Sequence, residues 1–282
     1  MDKILDKAKF LWSKTNRFHR VILIFLLVEL RFIPGGQFGF RCNDPALSYQ
    51  FNGDTISWKW LMVVTILLPL VVMLLTERKY HNVDKQRPKN RALRWYKEYM
   101  YGFVLNLTVV QVLKLIVGSP RPHFFDTCMP KEATTCQDSD YVSSYTCTKA
   151  HWMNQSDRSF PSGHTSLALH AALFIVYYLH RRSKPHTRAI RAIQTGCMAS
   201  AVYCALSRMS DHRHHWWDVL AGTMIGFISL YYTTKLCKNF ECRNTKAADK
   251  EKTLEKEQAS EMNNVNGGGD GPSIPILETV DT

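Results

Sequence analysis

Five stretches of this chain, 60–76, 99–113, 164–179, 192–207 and 219–234, contain no Asp, Glu, Lys or Arg. With modest flanks, each reaches the ~20 residues that carry a helix across a bilayer. They do not alternate polar and apolar positions, so they fit helices and not barrel strands, and a simple water-soluble globule is excluded. A sixth apolar run, 21–28, is interrupted by Glu29 and Arg31 before the Pro34-Gly35-Gly36 break. It counts as a span because two charges near one helix end can snorkel or pair. Without it, moreover, the basic loops would fall on opposite sides of the membrane. The alternative, a cleaved signal peptide, lacks a small-residue cleavage site after Val28.

The expected fold is therefore all-α, a bundle of six transmembrane helices. The first span starts near residue 18, and the others cover about 58–76, 95–117, 163–180, 190–207 and 216–235. Three parts follow: a cytoplasmic N-terminal segment 1–17, the six-span domain 18–240, and a tail 241–282. The tail mixes Lys with Glu, then runs through Asn263, Asn264 and Gly267 to Gly269 with almost no aromatic residue. Such a segment buries too little apolar surface to offset its ordering entropy and is expected to be disordered.

Lys and Arg total 36 against 24 Asp and Glu, a formal charge of +12, which raises nucleic acid as a partner. The positions of the cations argue against it. They concentrate in 3–20, 78–94 and 181–191, beside the apolar runs, where cytoplasmic loops are expected to be basic. The bilayer is the expected partner, and no nucleic acid is. Both termini are then cytoplasmic, and 36–57, 118–162 and 208–215 lie on the opposite side. Two features agree with this orientation. Asn154-Gln155-Ser156 is a glycosylation acceptor in the long outer stretch. Cys42, Cys128, Cys136 and Cys147 also fall in outer segments, where disulfides persist, with all three pairings open. Cys197 and Cys204 read as packing residues within span five, and Cys237 and Cys242 as inner thiols, with palmitoylation the alternative.

The informative residues are the ones a membrane helix should avoid. Lys114 closes span three, and Arg121 follows between two prolines. Pro161-Ser162-Gly163-His164 opens span four as a helix N-terminus able to receive an anion. Span five closes on Arg208, and His214 precedes Asp218 by four positions, a spacing that on a helix puts the carboxylate within reach of one ring nitrogen. By alternation, the end of span three, the start of four, the end of five and the start of six emerge on one side. Lys114, Arg121, Ser162, Gly163, His164, Arg208, His214 and Asp218 can therefore meet there as a phosphate site. The competing readings are snorkelling cations, a plain helix cap, and a metal site of Asp211, His212, His214 and His215. Consecutive histidines point apart on a helix, which disfavours the metal.

Lys114 to Pro122 fits K-x6-R-P, Pro161 to His164 fits P-S-G-H, and Ser207 to Asp218 fits S-R-x5-H-x3-D. Over about 18–240 the chain thereby resembles the type 2 phosphatidic acid phosphatase superfamily, in its eukaryotic lipid phosphate phosphatase branch. The resemblance implies an enzyme that hydrolyses phosphate monoesters of lipids without metal or other cofactor. Its candidates are phosphatidate, lysophosphatidate, sphingosine phosphate and ceramide phosphate. It also implies that His214 is the nucleophile, oriented by Asp218, and that His164 is the general acid and base. Lys114, Arg121, Arg208, Ser162 and Gly163 would bind phosphate. The alternatives are a phosphatase of the same superfamily acting on a sugar phosphate, and a non-catalytic lipid-phosphate binder or transporter. The plasma membrane is the expected compartment, with the reticulum or Golgi as alternatives, and the active site faces the extracellular or luminal side. Oligomeric state stays open, a homo-oligomer included.

Overall fold

The computed structural model describes residues 16–30, 35–79, 87–138, 140–149, 151, 153–183 and 187–237. Most of the N-terminal segment 1–17, the whole tail 241–282 and Cys242 lie outside the described residues. The principal helices are α1 (Arg17–Glu29), α2 (Trp58–Lys79), α3 (Pro88–Val117), α4 (Gly163–Arg182), α5 (Arg188–Ser210) and α6 (216–237). Of these, α2, α3 and α5 are long and apolar enough to cross a membrane. α1 has 13 residues, short of a full crossing. α3 begins at Pro88, before the expected 95, because proline suits a first helical turn and the charged stretch that follows is still built of good helix formers.

α3 is the hub, packing against α1, α2 and α4, while α4 also packs against α2 and α5. α6 approaches α4 so closely that a Cβ on Gly222 would sit 2.4 Å from the Ser162 carbonyl oxygen. Between these helices the interior combines large aromatic side chains, among them Trp95, Tyr99 and Phe174, with hydrogen-bonded polar groups. Asn106 donates to Ser229 Oγ at 2.9 Å and accepts from Ser166 Oγ at 2.6 Å, and Ser229 meets His170 Nδ1 at 3.0 Å. Pro69 interrupts α2, and its missing N–H releases the carbonyl of Thr65 four residues earlier; Tyr99 Oη donates to that oxygen at 2.6 Å.

The outward faces are the apolar ones. Trp60, Val64 and Leu68 of α2, Val202 and Leu206 of α5, and Met224, Phe227 and Ile228 of α6 are exposed. Contiguous apolar surface over a core that holds buried polar groups such as Asn106, His170 and Ser229 suits hydrocarbon and not water. The chain is a membrane protein. At one end, Glu77 of α2 is buried and takes two 2.9 Å hydrogen bonds from Arg182 of α4 and one of 3.0 Å from Tyr178.

At the other end, 35–57 and 118–162 fold over the bundle. Their only described strands, β1 (Phe40–Arg41) and β2 (Tyr141–Val142), pair antiparallel with Phe40 opposite Val142, a small exception to an all-α fold. Phe40, Phe124 and Tyr145 pack ring against ring at 4.9 to 5.7 Å between centroids. Disulfides join Cys42 to Cys136 and Cys128 to Cys147, the pairing that spacing left open. This cap is covalently pinned beside the site.

Candidate active site

The cap end of the bundle holds a cavity of about 460 Å³. Its wall includes Lys114, Arg121, Gly163, His164, Arg208 and His214, six of the residues singled out by sequence. α3 ends at the left-handed Gly118 (φ 57°) just after Lys114, so the lysine stands at the helix mouth. Its buried ammonium donates to the carbonyl of Arg158 at 2.7 Å and more weakly to that of Ser159 at 3.4 Å. Arg121 donates to the same Arg158 carbonyl at 3.2 Å and to that of Arg213 at 3.5 Å, while its buried Nε has no hydrogen-bond partner among the described residues. Burial, and then repulsion from Arg213, draws the Arg121 pKa down to about 9. Two cations thus share one backbone oxygen, that of Arg158.

Ser162 is the N-cap of α4, its Oγ meeting the Thr165 N–H at 3.5 Å and its own N–H donating to the Asp218 carbonyl at 2.9 Å. It fastens the start of α4 to the start of α6 and does not line the cavity. Gly163, next to it, does. His164, one residue into α4, sets its ring edge-on to Trp58 at 5.4 Å, and its Nε2 is buried with no hydrogen-bond partner among the described residues.

Arg208 is fully buried. It donates to Asp54 at 2.9 Å and to Asp211 at 2.7 Å, so its guanidinium is fixed rather than free to swing. Asp211 also accepts from the Thr55 N–H at 2.8 Å and from its hydroxyl at 2.6 Å, which brings Asp54 to the site. The chain then reverses through His212 (φ 51°), and the N–H groups of Arg213 and His214 both donate to the Arg208 carbonyl. This turn delivers the buried His214 to the cavity wall. Burial first, then Arg121 and Lys114, hold its pKa well below the ordinary histidine value against the opposing pull of Asp218. This environment favours the neutral ring, which leaves a nitrogen lone pair available.

The expected His214–Asp218 contact needs correction. His214 belongs to the turn and not to the helix, which starts at 216. Its Nδ1 lies 3.8 Å from Asp218 Oδ2, too far for a hydrogen bond. That oxygen instead accepts from Ser159 Oγ at 2.6 Å and the His215 N–H at 2.9 Å. Among the described residues neither His214 Nδ1 nor Asp218 Oδ1, both buried, has a hydrogen-bond partner, so the carboxylate adjoins the ring without being bonded to it. The metal alternative finds no geometry either. His212 stacks on Tyr49, His215 stacks on Trp217, and Asp211 is committed to Arg208 and Thr55. Among the described residues no group of three or more His, Cys, Asp or Glu is placed to hold a metal ion.

Asp54, Arg158 and Arg213 escaped the sequence reading. Arg213 lies 3.1 Å from Asp54 and 4.8 Å over the Phe51 ring, and its Nη1 is 3.4 Å from His123 Nε2. His123, fully buried, is driven down to about pKa 3 by burial and then by Arg121 and Arg213. Arg213 stood inside the third motif as an unassigned position, a signal that could have found it. Asp54 sits in a loop with no periodicity, and only the fold places it. Asn154 lies on the short helix Met153–Ser156, and its side chain is outside the description.

Residues 95–241 match the PAP2 superfamily. Phospholipid phosphatase 1 of Mus musculus is 30% identical over 258 residues, covering 86% of this chain and 90% of its own. The protein of that name from Rattus norvegicus is 30% identical, covering 82% and 87%. A phospholipid phosphatase homolog of Caenorhabditis elegans is 31% identical, covering 70% of this chain but only 64% of the longer relative. A family match over half the chain, near-full-length relatives, and all three motifs gathered on one cavity agree: the chain belongs to the PAP2 superfamily, in its phospholipid phosphatase branch.

Proposed function

We propose that this phosphatase hydrolyses phosphate monoesters of membrane lipids through a covalent phosphohistidine. Phosphatidate, lysophosphatidate, sphingosine phosphate and ceramide phosphate are the substrate candidates. The observation that carries the reading is the single cavity in which Lys114, Arg121 and Arg208 surround His164 and His214. A neutral His214 nitrogen attacks phosphorus in line, and the bond from phosphorus to the lipid oxygen breaks. Lys114, Arg121, Arg208 and the backbone around Gly163 hold the equatorial oxygens, since positioning and charge stabilisation are most of what phosphoryl transfer requires. His164 gives its proton to the departing lipid oxygen. It then takes one from the water that attacks phosphorus, which breaks the P–N bond and frees phosphate. Asp218 swings the short distance to His214 Nδ1 and stabilises the charge that develops on the ring.

The bilayer reading extends to all six helices, with the cavity on the extracellular or luminal side and both termini in the cytoplasm. Two disulfides at the cavity end support that orientation. So do Arg78, Lys79, Arg91 and Arg182 at the far ends of α2, α3 and α4. Glycosylation at Asn154 and residence in the plasma membrane belong to the same reading. The test is phosphate release by purified protein in lipid vesicles from a panel of lipid and sugar monoesters, with excess chelator, alongside His214→Ala and His164→Ala. Lipid monoesters should be turned over with chelator present, and both variants should be inactive yet inserted. Release from sugar phosphates alone, loss of activity in chelator, or full activity in either variant overturns the reading.

A further inference from the structure

Directly below the phosphate cavity, α2, α4 and α5 enclose a second space of about 170 Å³. These are the helices that carry Trp58, His164 and Arg208 into the cavity above. Its upper lining residues, Ala168 and Cys204, lie one turn, about 6 Å along the axis, from His164 and Arg208 respectively. Between the two levels, Cys204 Sγ of the lower space donates to the carbonyl of His164, whose side chain lines the upper one, at 3.9 Å. The α4 side is built of small side chains, Ala168, Ala171 and Ala172. One side is walled by Val64 and Leu68 of α2, the other by Cys197 and Ser200 of α5. Val64, Leu68 and Ser200 are exposed, so the groove opens on the face that meets hydrocarbon.

We propose that this groove receives one acyl chain of the substrate whose phosphate lies in the cavity above; the inference rests on the lipid phosphatase reading. The lining offers a ligand almost nothing to hydrogen-bond. Thr65 Oγ1 is already spent on the Leu61 carbonyl and Ser200 Oγ on that of Cys197. Its volume is close to that of an apolar protein cavity of about 150 Å³ that stays dry and admits benzene. A stretch of single hydrocarbon chain fits, and a headgroup does not. Continuity on three helices with the phosphate cavity selects the substrate's own chain over a bystander lipid. A chain anchored there holds its ester oxygen at the depth of His164, so binding energy from the remote part of the lipid is converted into position at the reacting centre.

The test compares Ser200→Trp and Leu68→Trp, which fill the groove from its open side, with Val202→Trp. Val202 is equally lipid-facing on α5 but lies off the groove. The readout is the ratio of kcat/KM for a long-chain lysophosphatidate to that for a short-chain homologue. The ratio should fall about tenfold in the two groove variants, equivalent to about 1.4 kcal/mol, and stay at the wild-type value in Val202→Trp. An unchanged ratio in both groove variants, or an equal fall in Val202→Trp, overturns the proposal. A second measurement needs neither turnover nor a variant. A long-chain phosphonate analogue with a photoreactive group in mid-chain, bound to wild-type protein, should form adducts on the groove residues of α2, α4 and α5. Adducts confined to the outward faces of other helices overturn it. Groove adducts in a protein that releases no phosphate from any monoester would leave the groove standing and the phosphatase reading refuted.

Discussion

Asp54→Asn isolates a residue that holds two guanidinium groups of the cavity wall, those of Arg208 and Arg213, without being part of any motif. Its carboxylate lies 2.9 Å from Arg208 Nη1 and 3.1 Å from Arg213 Nε, inside the cavity wall. A phosphate bound in this cavity as proposed would therefore sit beside the Asp54 carboxylate. At ~6 Å and an effective dielectric of ~20 the repulsion is about 3 kcal/mol. The Asp54 side chain is 25% exposed, and screening through the cavity mouth cuts the effect to about 1.4 kcal/mol, or roughly tenfold in affinity. Asparagine keeps an oxygen for the two guanidinium groups, and Asp211 still anchors Arg208 at 2.7 Å, so the clamp keeps its shape. Inorganic phosphate should then inhibit the variant at about one tenth of the wild-type concentration. Thermal stability should fall modestly, by about 1 kcal/mol, because two largely buried cations lose their shared anion. The assay is the inhibition constant for phosphate measured beside the melting temperature. Unchanged or weaker inhibition in a variant that melts near wild type would refute the electrostatic argument.

Lys114→Met removes a buried cation from the end of α3, and kcat/KM should drop roughly a hundredfold to a thousandfold, as for loss of one transition-state donor; a drop below threefold in steady-state assays contradicts its placement. Asp218→Asn should lower kcat roughly a thousandfold while phosphate inhibition stays near wild type, since the residue acts on His214 and not on substrate. Acid should destabilise the cap. His123 is held neutral down to about pKa 3 in the fold, whereas the unfolded chain takes up its proton near pH ~6.5. Stability is thus intact above that pH and falls by ~1.4 kcal/mol per unit below it, about 2.7 kcal/mol by pH ~4.5. His214, also held low, adds in the same direction. The melting temperature of His123→Gln should depend less steeply on pH over that window, and an identical slope would contradict the assignment.

The apolar runs located α2 to α6, of which α2, α3 and α5 are long and apolar enough to cross a membrane, and alternation of successive helices then predicted which ends would meet. What that logic misses is whatever depends on a charge being tolerated. α3 reaches back to Pro88 through Arg91 and Arg94, and α1 stops at Glu29. Six of the eight residues expected at the site line one cavity, while Ser162 and Asp218 stand behind its wall. Ser162 fastens α4 to α6, and Asp218 is held by Ser159 beside His214 instead of bonded to it. The four-residue spacing suggested a shared helical face, but the chain is still turning at His214. The disulfide pairing and Asp54 had no local signature at all. They are set by how 35–57 folds against 118–162 and against Asp211, a tertiary fact that neither period nor propensity encodes.

The most direct measurement is rapid-quench labelling of vesicle-reconstituted protein with lysophosphatidate carrying a radioactive phosphate, followed by identification of the labelled residue. The account predicts a transient label, stable to base and lost in acid, on His214, and none in His214→Ala. A label that survives in His214→Ala, or lipid phosphate turnover by that variant at the wild-type rate, would contradict it.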